Sequence, residues 1–346
     1  MPDPVGEFER IRAIVAGLPP GDGVVVGPGD DAAVLRPTAG HDLVVTTDTF
    51  VEDRHFRREL CSPTEAGSRF AAANLSDLAA MGARPRWAVL ALVLPSSWTA
   101  AAAAAFEHAC AHALAADGAA IVGGNLSSGE TFSATLTLFG ECARDTAWRR
   151  SGARVGDVLA VTGSPGSAGA FVALSLWGSP PSREHVPVAI VERFVAPPSR
   201  VAFALALAPL SAVHAAIDVS DGLVADLAHI TEASGVGAVL EAKALPADDA
   251  LREAARRLSA FAGQERGPLP AGEAGFLRHL VTGPSDDYEL LLALDPTRLD
   301  EVRSLATTHG VPLHVIGRFV AGSGVAMDGG RGIESLVARG WDHFAS

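Results

Sequence analysis

Apolar and polar positions alternate with a period of two along residues 131–142 (TFSATLTLFGEC), which predicts a strand with one buried face. Residues 42–48 (DLVVTTD) and 86–94 (RWAVLALVL) are apolar runs of strand length and are predicted strands as well. Two helices are predicted between these strands. The first opens at Ser62, with Pro63 in its first turn and Glu65 three residues on, a capping box, and runs to Gly82. The second is alanine-rich, spans Thr99 to Ala116, and ends at Asp117-Gly118. After CARDTAWRRSGARVGD the pattern restarts with a strand over 157–162, a glycine-rich turn, a helix to Trp177, and the proline-rich GSPPSREHVP. A strand over 213–218, a helix over 221–234 and strands over 289–295 and 311–319 follow. Residues 260–275 (AFAGQERGPLPAGEAG) are predicted to be an exposed insertion or loop. No short-period repeat is visible. This order predicts an α/β (α+β) chain with two domains, 1–146 and 147–346.

Length supports that division, because 346 residues exceed what one hydrophobic core usually serves. Hydrophobic residues at 48% are enough for two cores. No apolar run is long enough to cross a bilayer, and MPDPVGEFER lacks the basic and apolar regions of a signal peptide, so the expected location is the cytoplasm. Cys61, Cys110 and Cys142 have no CxxC spacing and are expected to be reduced packing residues, not a zinc site or disulfide framework. Forty acidic against 27 basic residues give a net charge of -13, the wrong sign for a partner with a phosphate backbone. Neither nucleic acid nor a membrane is expected as a partner.

The acidic residues fall at the edges of apolar elements. GPGDDAAVL places Asp30 and Asp31 in a glycine turn, and TTDTF puts Asp48 at the end of a valine-rich strand. NLSDLAAMGA sets Asn74 and Asp77 three residues apart on one helix face. AIDVSDGLVADL places Asp218 and Asp221 at a strand end and helix start, and GPSDDYELLL puts Asp286 and Asp287 just ahead of a strand. Each has an ordinary alternative: Asp221 as a helix cap, Asp30 as a turn former, Asp77 as an exposed helical charge. Two carboxylates about 5 Å apart repel by about 3 kcal/mol at an effective dielectric of about 20, so several converging on one cleft need cations. Hard oxygen donors without a histidine or cysteine pattern suit Mg²⁺ and substrate phosphates, which points to phosphoryl transfer. Neither a Walker A loop nor a kinase HRD/DFG set is present. VTGSPGSAGA, residues 161–170, fits a strand, turn and helix start whose backbone N–H groups would take a phosphate; turns of this kind also occur with no ligand.

GDDAAVL, TTDTFVEDRHF, NLSDLAAMGARP, VTGSPGSAGA, DVSDGLVADLAHI, DDYELLL and the closing GWDHF together resemble the thiamine-monophosphate kinase family, within the superfamily of aminoimidazole-ribonucleotide synthetase. The match runs in order through nearly the whole chain. It implies a two-domain fold, each domain a mixed sheet with packed helices, an N-terminal domain that dimerises through its sheet, and a site between the domains. It also implies direct transfer of the ATP γ-phosphate to thiamine monophosphate with several Mg²⁺ ions and no general base. The implied metal ligands are Asp30, Asp48, Asp77, Asn125, Asp218 and Asp221. The implied ATP contacts are Asp31, Thr47, Gly123, Gly124, Asn125, Thr162, Gly163 and Ser220. His55, Phe56, Asp287, Trp341, His343 and Phe344 are implied on the thiamine side, where aromatic faces suit a cationic ring; ordinary packing is their alternative.

The chain departs from the family pattern at several places. Asn125 stands where the family has an aspartate after two glycines, which removes a charge from the metal set, and the formylglycinamidine-ribonucleotide synthetase branch carries a similar GGN turn. Asp53 replaces a common glycine, Pro165 interrupts a turn, and Pro284-Ser285 replaces small residues. Two further readings therefore stay open: a divergent member that phosphorylates another small substrate, and a catalytically idle nucleotide-binding dimer.

Overall fold

The computed structural model describes residues 18–19, 21–28, 31–177, 180–262, 270, 272–330 and 332–337. The chain divides into two compact units, Met1–Leu78 with Ala83–Ala147, and Ala79–Gly82 with Trp148–Ser346.

The first unit contains a hairpin of β1 (Val24–Val26) and β2 (Val34–Leu35). Its main sheet has four strands, β3 (His41–Val51), β4 (Arg84–Leu94), β5 (Ala120–Ser128) and β6 (Ser133–Ala143), in the order β3-β6-β4-β5. Three of the four match the predicted runs. The fourth, β5, lies parallel to β4 and escaped prediction because IVGGNLSS breaks its apolar run with two glycines.

Two helices, α1 (Pro63–Ala80) and α2 (Ala100–Ala116), lie where the sequence predicts them, and the first bears the predicted capping box. The Ser62 N–H and hydroxyl both donate to Glu65 Oε2, at 2.8 and 2.9 Å, and the Glu65 N–H donates back to Ser62 Oγ at 3.3 Å. Thr99 Oγ1 accepts from the Ala102 N–H at 3.1 Å. A ring cluster of Phe50, Phe56, Phe70, Trp98, Phe106 and Phe132 fills the core of this unit, with Trp98 stacked on Phe132 at 3.8 Å. Burying each such ring contributes about 2–3 kcal/mol. On the opposite face of the sheet, Val24 and Leu35 of the hairpin pack, with Phe139, against Trp87, Ala120 and Val122. All three cysteines lie in this unit, buried and outside any disulfide; burial, and secondarily the charge of Glu107, push the Cys110 thiol up.

In the second unit a seven-stranded sheet runs β13-β12-β9-β11-β7-β10-β8. Its strands are β7 (Val158–Thr162), β8 (Val213–Val219), β9 (Gly237–Glu241), β10 (Glu289–Leu294), β11 (Leu313–Val320), β12 (Gly324–Asp328) and β13 (Ile333–Leu336). Pairings are antiparallel except β9 with β12, so the sheet is mixed. β10 is buried along its whole length between β7 and β8, which is why it reads as an unbroken apolar run.

The helices are α3 (Ser167–Ser175), α4 (Val188–Val195), α5 (Val201–Leu207), α6 (Leu223–Ser234), α7 (Asp249–Ala262), α8 (Gly272–Thr282) and α9 (Leu299–Thr308). The predicted loop over 260–275 is thus helical at both ends. α7 buries Leu251, Ala254, Ala255 and Leu258, a spacing of three and four that carries the helix past the predicted loop start.

Candidate functional site

In the first unit, Thr46 on β3 donates its hydroxyl to Asp77 Oδ2 on α1 at 2.6 Å. Asp48 lies two residues further along the same strand and so shares the face of Thr46. The Thr49 N–H donates to Asp48 Oδ1 at 2.9 Å. The structure therefore brings Asp48 and Asp77 to the helix-covered face of the sheet, at the β3 edge.

Asn125 stands elsewhere. Register aligns it with Ala91, Ala91 with Thr135 and Thr135 with Thr49, the neighbour of Asp48. Adjacent strand residues face opposite ways, so Asn125 shares the other face, on the far edge strand about 14 Å across four strands. Thr47 is on that face as well, with its hydroxyl 3.1 Å from that of Thr137; Thr49 and Thr135 form a similar pair at 2.9 Å. Within the protomer the structure does not bring Asn125 to Asp48 and Asp77. Gly124 has a packing reason to be glycine: a Cβ there would lie 2.0 Å from the Leu90 carbonyl oxygen of β4, whereas Gly123 is open.

The loop after β3 corrects one expectation. Phe56 is only 4% exposed and belongs to the ring cluster, stacked on Phe50 at 5.3 Å, so it packs the core and lines no open pocket. His55 is half-buried; its Nδ1 accepts the Val51 N–H at 3.0 Å, which fixes the ring and leaves Nε2 as the donor of the neutral form. Asp53 holds a left-handed backbone at φ 64, which accounts for the glycine common there in the family. Glu52, unmarked in the sequence reading, ties the loop together by accepting from Arg58 Nε at 2.6 Å and Trp98 Nε1 at 2.7 Å. A cavity of about 920 Å³ opens at the C-terminal ends of the parallel pair β4 and β5, lined by Leu94, Trp98, Ser127, Ser128 and Glu130. Asp31 is exposed. Asp30, Trp341, His343 and Phe344 lie outside the described residues.

In the second unit, Asp218 is the penultimate residue of β8 and is buried, and Asp221 sits half-buried in the turn to α6. Residue 222 is a glycine at φ 125. The cap is not Asp221 but Asp226, one turn into the helix. Its Oδ2 accepts the N–H groups of Ser220, Asp221 and Gly222 at 3.1, 3.1 and 3.0 Å. Burial raises the Asp226 carboxyl to about 6, the nearby Asp221 charge adds to the rise, and these hydrogen bonds oppose it.

The glycine turn after β7 is occupied by the protein itself. Asp287 accepts the N–H of Gly166 at 2.5 Å and of Ala168 at 2.8 Å, and Ser285 Oγ accepts that of Gly169 at 2.9 Å. These donors, expected to take a phosphate, already hold a carboxylate and a hydroxyl. Burial raises Asp287 to about 6 against the pull of those bonds, so its place is under the turn and not in an open thiamine pocket. Thr162, expected at ATP, is fully buried; its hydroxyl donates to Glu289 Oε2 at 2.5 Å. Gly163 is buried beside the same carboxylate. Arg200 grips Glu289 with two bonds, at 2.5 and 2.7 Å. Neither Arg200 nor Glu289 carried any signal in the sequence, since their pairing spans 89 residues.

Residues 29–142 match the N-terminal domain, and residues 154–329 the C-terminal domain, of AIR synthase related protein. The thiamine-monophosphate kinase of Haemophilus influenzae is 31% identical over 98% of this chain and 98% of its own length. The crystal structure of thiamine-monophosphate kinase from Stenotrophomonas maltophilia K279a superposes with a TM-score of 0.78 at 35% identity, covering 93% of this chain and 95% of that one. AaThiL complexed with AMPPCP and TMP matches at a TM-score of 0.73 and 26% identity, over 98% and 97% of the two chains.

Proposed function

The chain belongs to the AIR synthase related proteins, in the thiamine-monophosphate kinase family, and from that membership we propose that it transfers the γ-phosphoryl group of ATP directly to thiamine monophosphate. The observation that carries the reading is the relative whose fold this chain shares over 98% of its length and which holds an ATP analogue together with TMP. Products are thiamine diphosphate and ADP. The attacking phosphate oxygen is already anionic, so positioning and charge neutralisation suffice and no side chain need act as general base.

Asp48 and Asp77 in the first unit, and Asp218 and Asp221 in the second, each offer carboxylate oxygens, donors that fit Mg²⁺. Mg²⁺ held by such donors would supply neutralisation of the phosphate charge. Thr46 supports this assignment by orienting the Asp77 carboxylate, and the Asp226 cap by fixing the backbone that carries Asp221. We further propose a homodimer through the sheet of the first unit, supported by exposed Leu43 and Val45 on the same face as the threonine pairs. No helix among the described residues is long and apolar enough to cross a membrane, and a cytoplasmic site of action is part of the proposal.

The test is to incubate the protein with ATP, Mg²⁺ and thiamine monophosphate and to follow thiamine diphosphate by chromatography, beside an Asn125→Asp variant. Diphosphate above a protein-free blank is expected from the native chain, with the variant within about threefold, because Asn125 lies on the other face from Asp48 and Asp77. No diphosphate from either protein would overturn the reading. Activity in the variant alone would identify Asn125 as a disabled ligand.

A further inference from the structure

The alanine-rich helix α2 carries two histidines that neither the core nor the phosphate chemistry uses. His108 and His112 are four residues apart and both exposed, so their rings share one outward face of the helix. Two histidines at this spacing on a helix are a recurrent way of holding Zn²⁺. A second, independent observation comes from Glu107, whose side chain is wholly buried. Neither of its carboxylate oxygens accepts a hydrogen bond among the described residues. Burying a carboxylate is costly unless it is paired or coordinates a metal. Its Oε2 is aimed at the imidazole, 3.4 Å from His108 Nε2 without the geometry of a hydrogen bond. Two ligand atoms of a tetrahedral ion with bonds of about 2.0–2.1 Å stand about 3.4 Å apart, and Zn²⁺ makes bonds of that length to carboxylate oxygen and imidazole nitrogen.

We infer that Glu107, His108 and His112 form a three-ligand site for a transition ion of the Zn²⁺ kind, with the fourth position open to solvent. Glu107 and His108 already stand at ligand separation; the three do not yet lie within 4.8 Å of one another, and His112 joins by turning its exposed ring. Cys110 falls between the histidines in sequence but is buried in the core, so it is no ligand. Two imidazoles beside one carboxylate select against Mg²⁺, which takes oxygen ligands and gives up water reluctantly. None of the three residues belongs to the nucleotide, Mg²⁺ or thiamine sets, so the site stands apart from the phosphoryl transfer proposed above.

The probe is Zn²⁺ titrated by calorimetry into the full chain without nucleotide, in excess Mg²⁺ to occupy oxygen-donor sites. Uptake of Zn²⁺ by the native protein is expected at micromolar concentration. His108→Gln and His112→Gln are each expected to weaken it at least about tenfold, and Glu107→Gln, which keeps the buried shape, by about tenfold. Both histidines are exposed, so folding is retained in their variants and is checked by thermal denaturation. Labelling with diethylpyrocarbonate, mapped by mass spectrometry, assigns the ligands directly: Zn²⁺ should protect His108 and His112 while the exposed His185 continues to react. No Zn²⁺ uptake at submillimolar concentration, an unchanged affinity in any of the three variants, or equal labelling of His108 and His112 with and without Zn²⁺ would each overturn the inference.

Discussion

Two strand–turn–helix corners of the second unit solve one problem in different ways. Each leads into a helix through N–H groups that need acceptors, and each finds a buried carboxylate. At the corner after β8 the acceptor is Asp226, four to six residues from its donors. At the corner after β7 it is Asp287, 119 and 121 residues away. A local acceptor leaves a trace in the sequence, as SDGLVADL does; a distant one leaves a glycine turn that looks vacant. Free helix-start donors inferred from a short motif are therefore a statement about local partners only.

The distant corner should be the more fragile, since it also rests on the buried Thr162–Glu289–Arg200 network. Arg200→Met would leave Glu289 buried without its cation and is expected to cost about 3–5 kcal/mol, measured by urea unfolding. Amide exchange should then quicken at Gly166 and Ala168 while Gly222 keeps its protection; equal loosening at both corners would erase the distinction. Asp287→Ala strands two buried N–H groups and is expected to cost about 2–4 kcal/mol. Asp226→Ala should cost less, because Ser220 and Asp221 are half-buried and their N–H groups can find water.

Acidity separates the corners less. Both carboxyls are raised to about 6 from an ordinary 3.8. A carboxyl raised in the folded state stabilises it fully below the unfolded value and loses that contribution as pH rises through the folded value. Stability should therefore fall between about pH 4 and pH 6 and level off above, by at most about 3 kcal/mol for each group. In Asp287→Asn the slope should be about half that of the native protein; an unchanged slope would show that Asp287 is not responsible. The smallest expected effect lies in the first unit, where Asp53→Gly relieves a left-handed backbone and should raise stability by up to about 1 kcal/mol in thermal denaturation.

The same contrast between local and distant information explains what could be read from the chain. β6, β3 and β4, the capping box at Ser62 and Glu65, and the start of the alanine-rich helix at Thr99 were legible because their signals lie within a few residues. Pairing across the sheet was not. Asn125 looks like a companion of Asp48 and Asp77, and only register shows that it shares the threonine face. Phe56 reads as a substrate contact until its ring neighbours Phe50, Trp98 and Phe132 are assembled from residues 50 to 132. β12 and β13 were missed because short strands such as GVAMD and IESL carry too few residues to show a period.

The placement of the thiols has a practical consequence. Cys61, Cys110 and Cys142 are all buried, and all belong to the first unit. An alkylating reagent can reach them only when that unit opens, and nothing in the second unit consumes it. The rate at which mass is gained in the native protein is therefore a stopwatch for the opening of one half of the chain, read without a label.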